Sequence, residues 1–234
     1  MVGIALGDDV IHLNPSAPYA PSQQALPITD VSVRLVSVAP GSLLKTRRGA
    51  KYVDESWARQ LNQEALATQS MLEGFFQDPT LLDRGLRRYL YDKNITIDPL
   101  DIPHSQPFTL STDYNSHPDR LLSVFIHEQL HVFLASQLRS ANTDRAIEEL
   151  KGLFPNVEVP PGLRNAPNPQ YATYLHIITN WLEYQVMRRL LRDENRVRAV
   201  FLGNTVYPQL YQLILDSRNQ STLSLVMARN SLMP

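Results

Sequence analysis

His127, Glu128 and His131 stand in the stretch LLSVFIHEQLHVFLASQL, Leu121 to Leu138, which is otherwise almost wholly apolar. Burying two imidazoles and a carboxylate without partners is costly, so a helix that carries them there needs a reason to do so. His127 and His131 are at i and i+4, stacked one turn apart on one helix face. Two imidazoles so placed can meet a single tetrahedral cation at about 2.0–2.1 Å. Glu128 falls beside the pair but set back from it, where it reaches a metal-bound water without ligating the ion. Zinc lowers the pKa of such a water to roughly 7, and a neighbouring carboxylate can take its proton as the water attacks a carbonyl. One divalent ion therefore accounts for all three residues.

The string H-E-Q-L-H with uncharged, hydrophobic flanks, VFIHEQLHVF, resembles the signature of the zincin metallopeptidases, H-E-x-x-H on a helix. The resemblance covers Pro118 to Arg192 and leaves the N-terminal half and the C-terminal quarter unmatched. It implies a zinc-dependent hydrolase acting on a peptide or protein substrate, with Glu128 as general base. No His or Glu follows His131 at the spacing of metzincins, so the arrangement is closer to gluzincins, which bring a third ligand, usually Glu, from a later helix.

Two histidines make a poor site alone, and the third ligand has three sources. Glu148 and Glu149 lie at a gluzincin-like distance, but in AIEELKGLF the apolar face is Ala146, Ile147, Leu150 and Leu153, and the acids point away from it. In YATYLHIITNWLEYQVMRRLL, His176, Asn180, Glu183 and Met187 form a stripe at spacings of four, three and four, next to an apolar one. That stripe suits a helix laid across the motif helix and presenting polar atoms to a shared ion. His176 and Glu183 are two turns apart, roughly 10 Å along the axis, so one ion does not take both. His176 is favoured as the third ligand because it sits mid-helix in an apolar setting. Glu183 is the alternative ligand, or otherwise an outer carboxylate. A histidine here departs from the gluzincin pattern.

Other parts are less telling. His117 precedes Pro118 and is a candidate helix cap, while His12 and His104, in proline-flanked coil, read as surface residues. Hydrolysis needs a donor for the developing oxyanion, and Tyr171, Tyr174 and Tyr184 are the candidates on the later helix. The resemblance also implies that the strand QPFTLSTDY, ahead of the motif, pairs with an extended substrate as an added strand.

The elements that must position these groups are legible from periodicity and punctuation. Residues 1–30, with Pro15, Pro18, Pro21 and Pro27, read as an extended arm, and residues 31–234 as a single zincin-like catalytic domain. VSVRLVSVAP alternates as a strand, and KTRRG is a basic turn. Trp57, Leu61, Ala65, Leu72 and Phe76 mark a long helix from Asp54, and Asp78-Pro79 opens a shorter one. Extended NITIDPL and QPFTLSTDY precede a helix expected over Pro118 to Arg139. After the polar break SANTD comes a short helix, then a stiff loop with five prolines between Pro155 and Pro169. Asn168-Pro169 starts the helix to Arg192, and two or three more helices follow. The fold class is α+β, mostly helical, with a small sheet ahead of the motif helix.

Composition narrows the function. Cysteine is absent, so disulfides and thiolate metal sites are excluded and any metal takes His and carboxylate ligands. A net charge of -1 gives no argument for nucleic acid or an anionic membrane. No apolar run reaches the roughly 18 residues of a membrane span. The opening MVGIALGDDVIHLN is no intact signal peptide, which leaves the compartment open, cytoplasmic or exported. The competing readings are a non-catalytic, zinc-stabilised helical domain acting as an interaction or structural module, and a helical module with a chance motif.

Overall fold

A computed structural model describes residues 30–46 and 49–233. The expected arm, apart from Asp30, and His12 lie outside the described residues. So do Arg47 and Arg48 of the expected basic turn; its Lys45 and Thr46 lie instead in β2 (Leu43–Thr46), which pairs with β3 (Gly49–Tyr52).

The chain is mostly helical with a small sheet, in agreement with the α+β class. β1 (Ser32–Leu35) lies parallel to β4 (Asn94–Ile97), which lies parallel to β6 (Phe108–Leu110). The short β5 (His104–Ser105) closes the sheet antiparallel to β6, in the order β1-β4-β6-β5. Alternation in β4 turns Ile95 and Ile97 inward, and Phe108 and Leu110 join them in the core. Two helices cover that face: α1 (Glu55–Gln77), capped by the Asp54 carboxylate, and α3 (Pro118–Leu134), the motif helix. Phe125 of α3 joins the layers, edge-on to Phe76 at 5.7 Å and to Phe108 at 5.8 Å.

The element expected after Asp78 splits into α2 (Pro79–Asp83) and a 3-10 turn, Leu86–Tyr89, because Gly85 takes a left-handed φ of 93° between them. Gln129, fully buried on the motif helix, pins the chain that follows. Its amide oxygen accepts from the N–H groups of Tyr91 (2.8 Å) and Asp92 (3.1 Å), and its NH2 donates to the Asp92 carbonyl (2.7 Å). Sheet and motif helix are thereby held together just before β4.

α3 ends at Leu134, five residues short of the expected Arg139. The supposed break SANTD is instead the first turn of α4 (Ser140–Leu153). Thr143 explains both outcomes. Its hydroxyl donates to the Leu134 carbonyl at 2.7 Å, satisfying the end of α3 while its backbone already belongs to α4. The proline-rich segment is a loop with one 3-10 turn, Pro161–Leu163.

α5 (Pro169–Leu191), capped by Asn168, is buried on nearly every side. It packs against α3, α4, α6 (Glu194–Leu202) and α7 (Pro208–Leu215), with α8 (Ser217–Arg229) outside them. Its C-terminus stops at Arg192, whose φ of 52° is left-handed, and Arg84 donates to the carbonyls of Leu190 and Leu191 at 2.7 and 3.1 Å. No described helix is long and apolar enough to cross a membrane.

Candidate metal centre

α3 and α5 cross so that Ser123 and His127 face Glu183, while His131 faces His176. The helices therefore run in opposite directions, and the polar stripe of α5 meets the histidine face of α3. His127, His131 and His176 are all buried, with ligand atoms within 4.8 Å of one another, and could hold a metal ion. Nε2 of His127 and Nε2 of His131 are 3.1 Å apart. Two ligands at 2.0–2.1 Å on a tetrahedral ion lie about 3.3 Å apart, so this pair already stands at coordination spacing. His176 closes the group, its ring centroid 4.9 Å from His131 and 5.7 Å from His127.

The tautomers follow from the other ring nitrogens. His127 Nδ1 lies 3.0 Å from Glu183 Oε2, and His176 Nδ1 lies 2.8 Å from the Ala172 carbonyl. Both partners accept, so Nδ1 is the donor on each ring, and the neutral tautomer this selects offers the Nε2 lone pair to an ion. Such an outer partner is the usual companion of a metal-ligating imidazole. Burial, and then the neighbouring rings of His127 and His176, hold the pKa of His131 well below the ordinary histidine value. The ring is neutral, as a ligand must be. Three imidazoles are a donor set that suits a divalent transition ion.

Glu183 is the hub of the outer layer. Besides the His127 ring it accepts from the Ser123 hydroxyl and from the Tyr211 hydroxyl at 3.2 Å. Burial first, and Glu183 next, raise the pKa of Tyr211 well above the ordinary phenol value, so its hydroxyl stays protonated and donates. Glu183 is thus committed to orienting His127. Glu148 and Glu149 are elsewhere: the first pairs with Lys151 at 2.6 Å, and the second accepts from Asn230 at 3.0 Å and pairs with Arg229.

A cleft of about 430 Å3 opens onto one side of the group, lined by His127, Glu128 and Glu183 among others. His131 and His176 are not in its lining and sit behind. Glu128 is 5% exposed, so the carboxylate beside the ligand pair is at the cleft floor rather than in solvent. The walls are the 102–103 segment ahead of β5, the 3-10 turn at Gly162 and Leu163, and the loop from Asn204 to Tyr207.

Several expectations are corrected here. Tyr171, Tyr174 and Tyr184 are turned away, donating to Asp144, to the Phe154 carbonyl and to Glu194. The cleft tyrosines are Tyr114, Tyr207 and Tyr211, and the Tyr207 ring lies 4.5 Å from that of His176. Tyr207 and Tyr211 share a face at i and i+4 in YPQLY, a signal present in the sequence but ordinary for core packing. β6, the core of QPFTLSTDY, is paired on both sides, so it cannot accept another strand; the edge nearest the cleft is β5. His117 occupies the cap position of α3 without a side-chain bond. His104 belongs to β5, its side chain only 13% exposed and bonded to Asp101 at 3.0 Å. Compared with family models, curated proteins and solved structures, the chain matches none.

Proposed function

We propose that the protein is a zinc-dependent hydrolase, a peptidase of the zincin type that uses Glu128 as general base. The observation that supports this is the placement of Glu128 with His127 on the floor of a cleft, in front of a buried three-histidine group. Bound there, zinc would polarise the scissile carbonyl and lower the pKa of a water ligand to about 7. Glu128 takes the proton of the attacking water and delivers it to the leaving amine. His127 keeps its ligating tautomer through Glu183, which Ser123 and Tyr211 hold in place. The peptide lies between the segment ahead of β5 and the loop ending at Tyr207. A purely structural site would favour a fourth protein ligand. Glu183 instead serves the Nδ1 side of His127.

Metal analysis of the purified protein tests the first half, with about one zinc per chain expected. Glu128→Gln tests the second. The amide keeps the shape and removes the base, so zinc content stays at the parent level while cleavage of a peptide library falls at least about a hundredfold. Cleavage by this variant at the parent rate sinks the mechanism.

A further inference from the structure

The cleft has a charge pattern that its proposed chemistry does not use. Its lining contains three carboxylates, Asp113, Glu128 and Glu183, and among the described lining residues there is no Lys or Arg. Two of the three are spoken for. Glu128 stands beside the ligand pair, Glu183 is bonded to His127, and together they balance a divalent ion. Asp113 has no such duty. It lies in the turn between β6 and α3, exposed, with its backbone N–H donating to the Ser111 hydroxyl at 3.3 Å. Arg120, which contacts the cleft residue Tyr114, is engaged outside the lining: its guanidinium sits 5.8 Å from the centre of the Tyr114 ring and donates to the Gly203 carbonyl at 3.4 Å. Tyr114, which lines the cleft, feels the same field. Burial raises its pKa first, and Asp113, Glu128 and Glu183 raise it further against the opposing effect of Arg120.

We propose that Asp113 makes the cleft selective for a cationic group on the substrate, a Lys or Arg side chain or a free α-amine. The inference rests on the peptidase reading and extends it to substrate class. The same cleft also has apolar lining, with Val124, Leu163 and Val206. Such walls suit the alkyl stem of a long basic side chain whose head reaches a carboxylate. The same pattern disfavours a free α-carboxylate, which would meet three acids and no cation. The cleft is therefore built for internal or N-terminal cleavage and not for removal of C-terminal residues.

The test uses the zinc-loaded protein and quenched-fluorescence peptides with one neutral core. One position near the scissile bond carries Lys, Arg, Gln or Glu, and each peptide is made with a free or acetylated N-terminus and a free or amidated C-terminus. The exposed acid leads us to expect kcat/KM about two- to fivefold higher for Lys or Arg than for Gln, lower for Glu, with the difference shrinking at high salt. Acetylation that abolishes the preference of otherwise neutral peptides assigns the cation to the α-amine; a preference that survives acetylation assigns it to the side chain. Asp113→Asn should bring the Lys/Gln and Arg/Gln ratios of kcat/KM to near one. Anisotropy of the same peptides bound to Glu128→Gln gives a readout without turnover. Binding that favours the cationic peptides in the absence of any cleavage keeps the inference and removes the peptidase reading. Cleavage without charge preference, a preference undiminished in Asp113→Asn, or neither cleavage nor selective binding overturns the inference.

Discussion

Replacing Glu183 by Gln keeps the shape of the side chain and removes its charge. In the parent, the carboxylate accepts from three donors: Ser123 on Oε1, and His127 and Tyr211 on Oε2 at 3.0 and 3.2 Å. An amide can reproduce this only in part. Its oxygen can take the Oε2 position, which leaves NH2 against Ser123, and the Ser123 hydroxyl must turn round to accept. The hydrogen bond to His127 then loses its charge assistance, and the imidazole becomes a weaker base toward the ion. Loss of an outer partner of this kind lowers metal affinity about 10- to 100-fold, or about 1.4–2.7 kcal/mol. Glu183→Ala goes further, because the buried donors of His127, Ser123 and Tyr211 lose their shared acceptor. At about 1–3 kcal/mol for each donor left unsatisfied, the metal-free fold should lose on the order of 3 kcal/mol or more. Competition with a chromophoric chelator measures the affinities, and urea denaturation of the metal-free proteins measures the stability. Zinc binding by Glu183→Gln within twofold of the parent, together with parent-like stability of Glu183→Ala, would refute the argument that this carboxylate orients His127.

Three further outcomes follow from the same geometry. If the proposed zinc is held by the three histidines, His131→Ala and His176→Ala each delete a ligand, so both should weaken zinc binding more than Glu183→Gln does, whereas Glu148→Gln and Glu149→Gln, which alter contacts to Lys151 and to Arg229 and Asn230, should leave the titration unchanged. The metal-free protein should lose stability in acid. His131 is held neutral in the fold by a lowered pKa, and the unfolded chain binds its proton near pH 6.5, so its contribution is complete above that pH and falls as the pH drops below it, by up to about 1.4 kcal/mol per unit. Urea midpoints of the metal-free parent and His131→Ala between pH 7.5 and 5 check this, with a flatter slope expected for the variant. Thr143→Val should destabilise by about 1–3 kcal/mol, because the Leu134 carbonyl at the end of the motif helix loses its buried donor, and thermal melting reads it.

How much of the site could be read in advance depended on how far apart its parts lie in the chain. The pairing of His127 with His131 was legible because a helical repeat places i and i+4 on one face regardless of what surrounds it. The stripe His176, Asn180, Glu183 was legible for the same reason, and the caps at Asp78 and Asn168 from the proline that follows each. The sequence by itself thus determined which side chains share a face and where most of the long helices lie. It did not determine which faces meet. That His176 joins the pair while Glu183 turns to Ser123 and Tyr211 follows from the crossing of α3 and α5, and that crossing is set by burying the apolar surface of both helices at once. The cleft positions of Tyr207 and Tyr211 and the double pairing of β6 were hidden likewise, since each depends on a distant partner. Thr143 is the small-scale case. Its local context reads as a polar break, and only the approach of the Leu134 carbonyl makes it the joint between two helices. Local periodicity is a property of one segment, whereas the three-histidine group is a property of the packing between segments, which no single segment encodes.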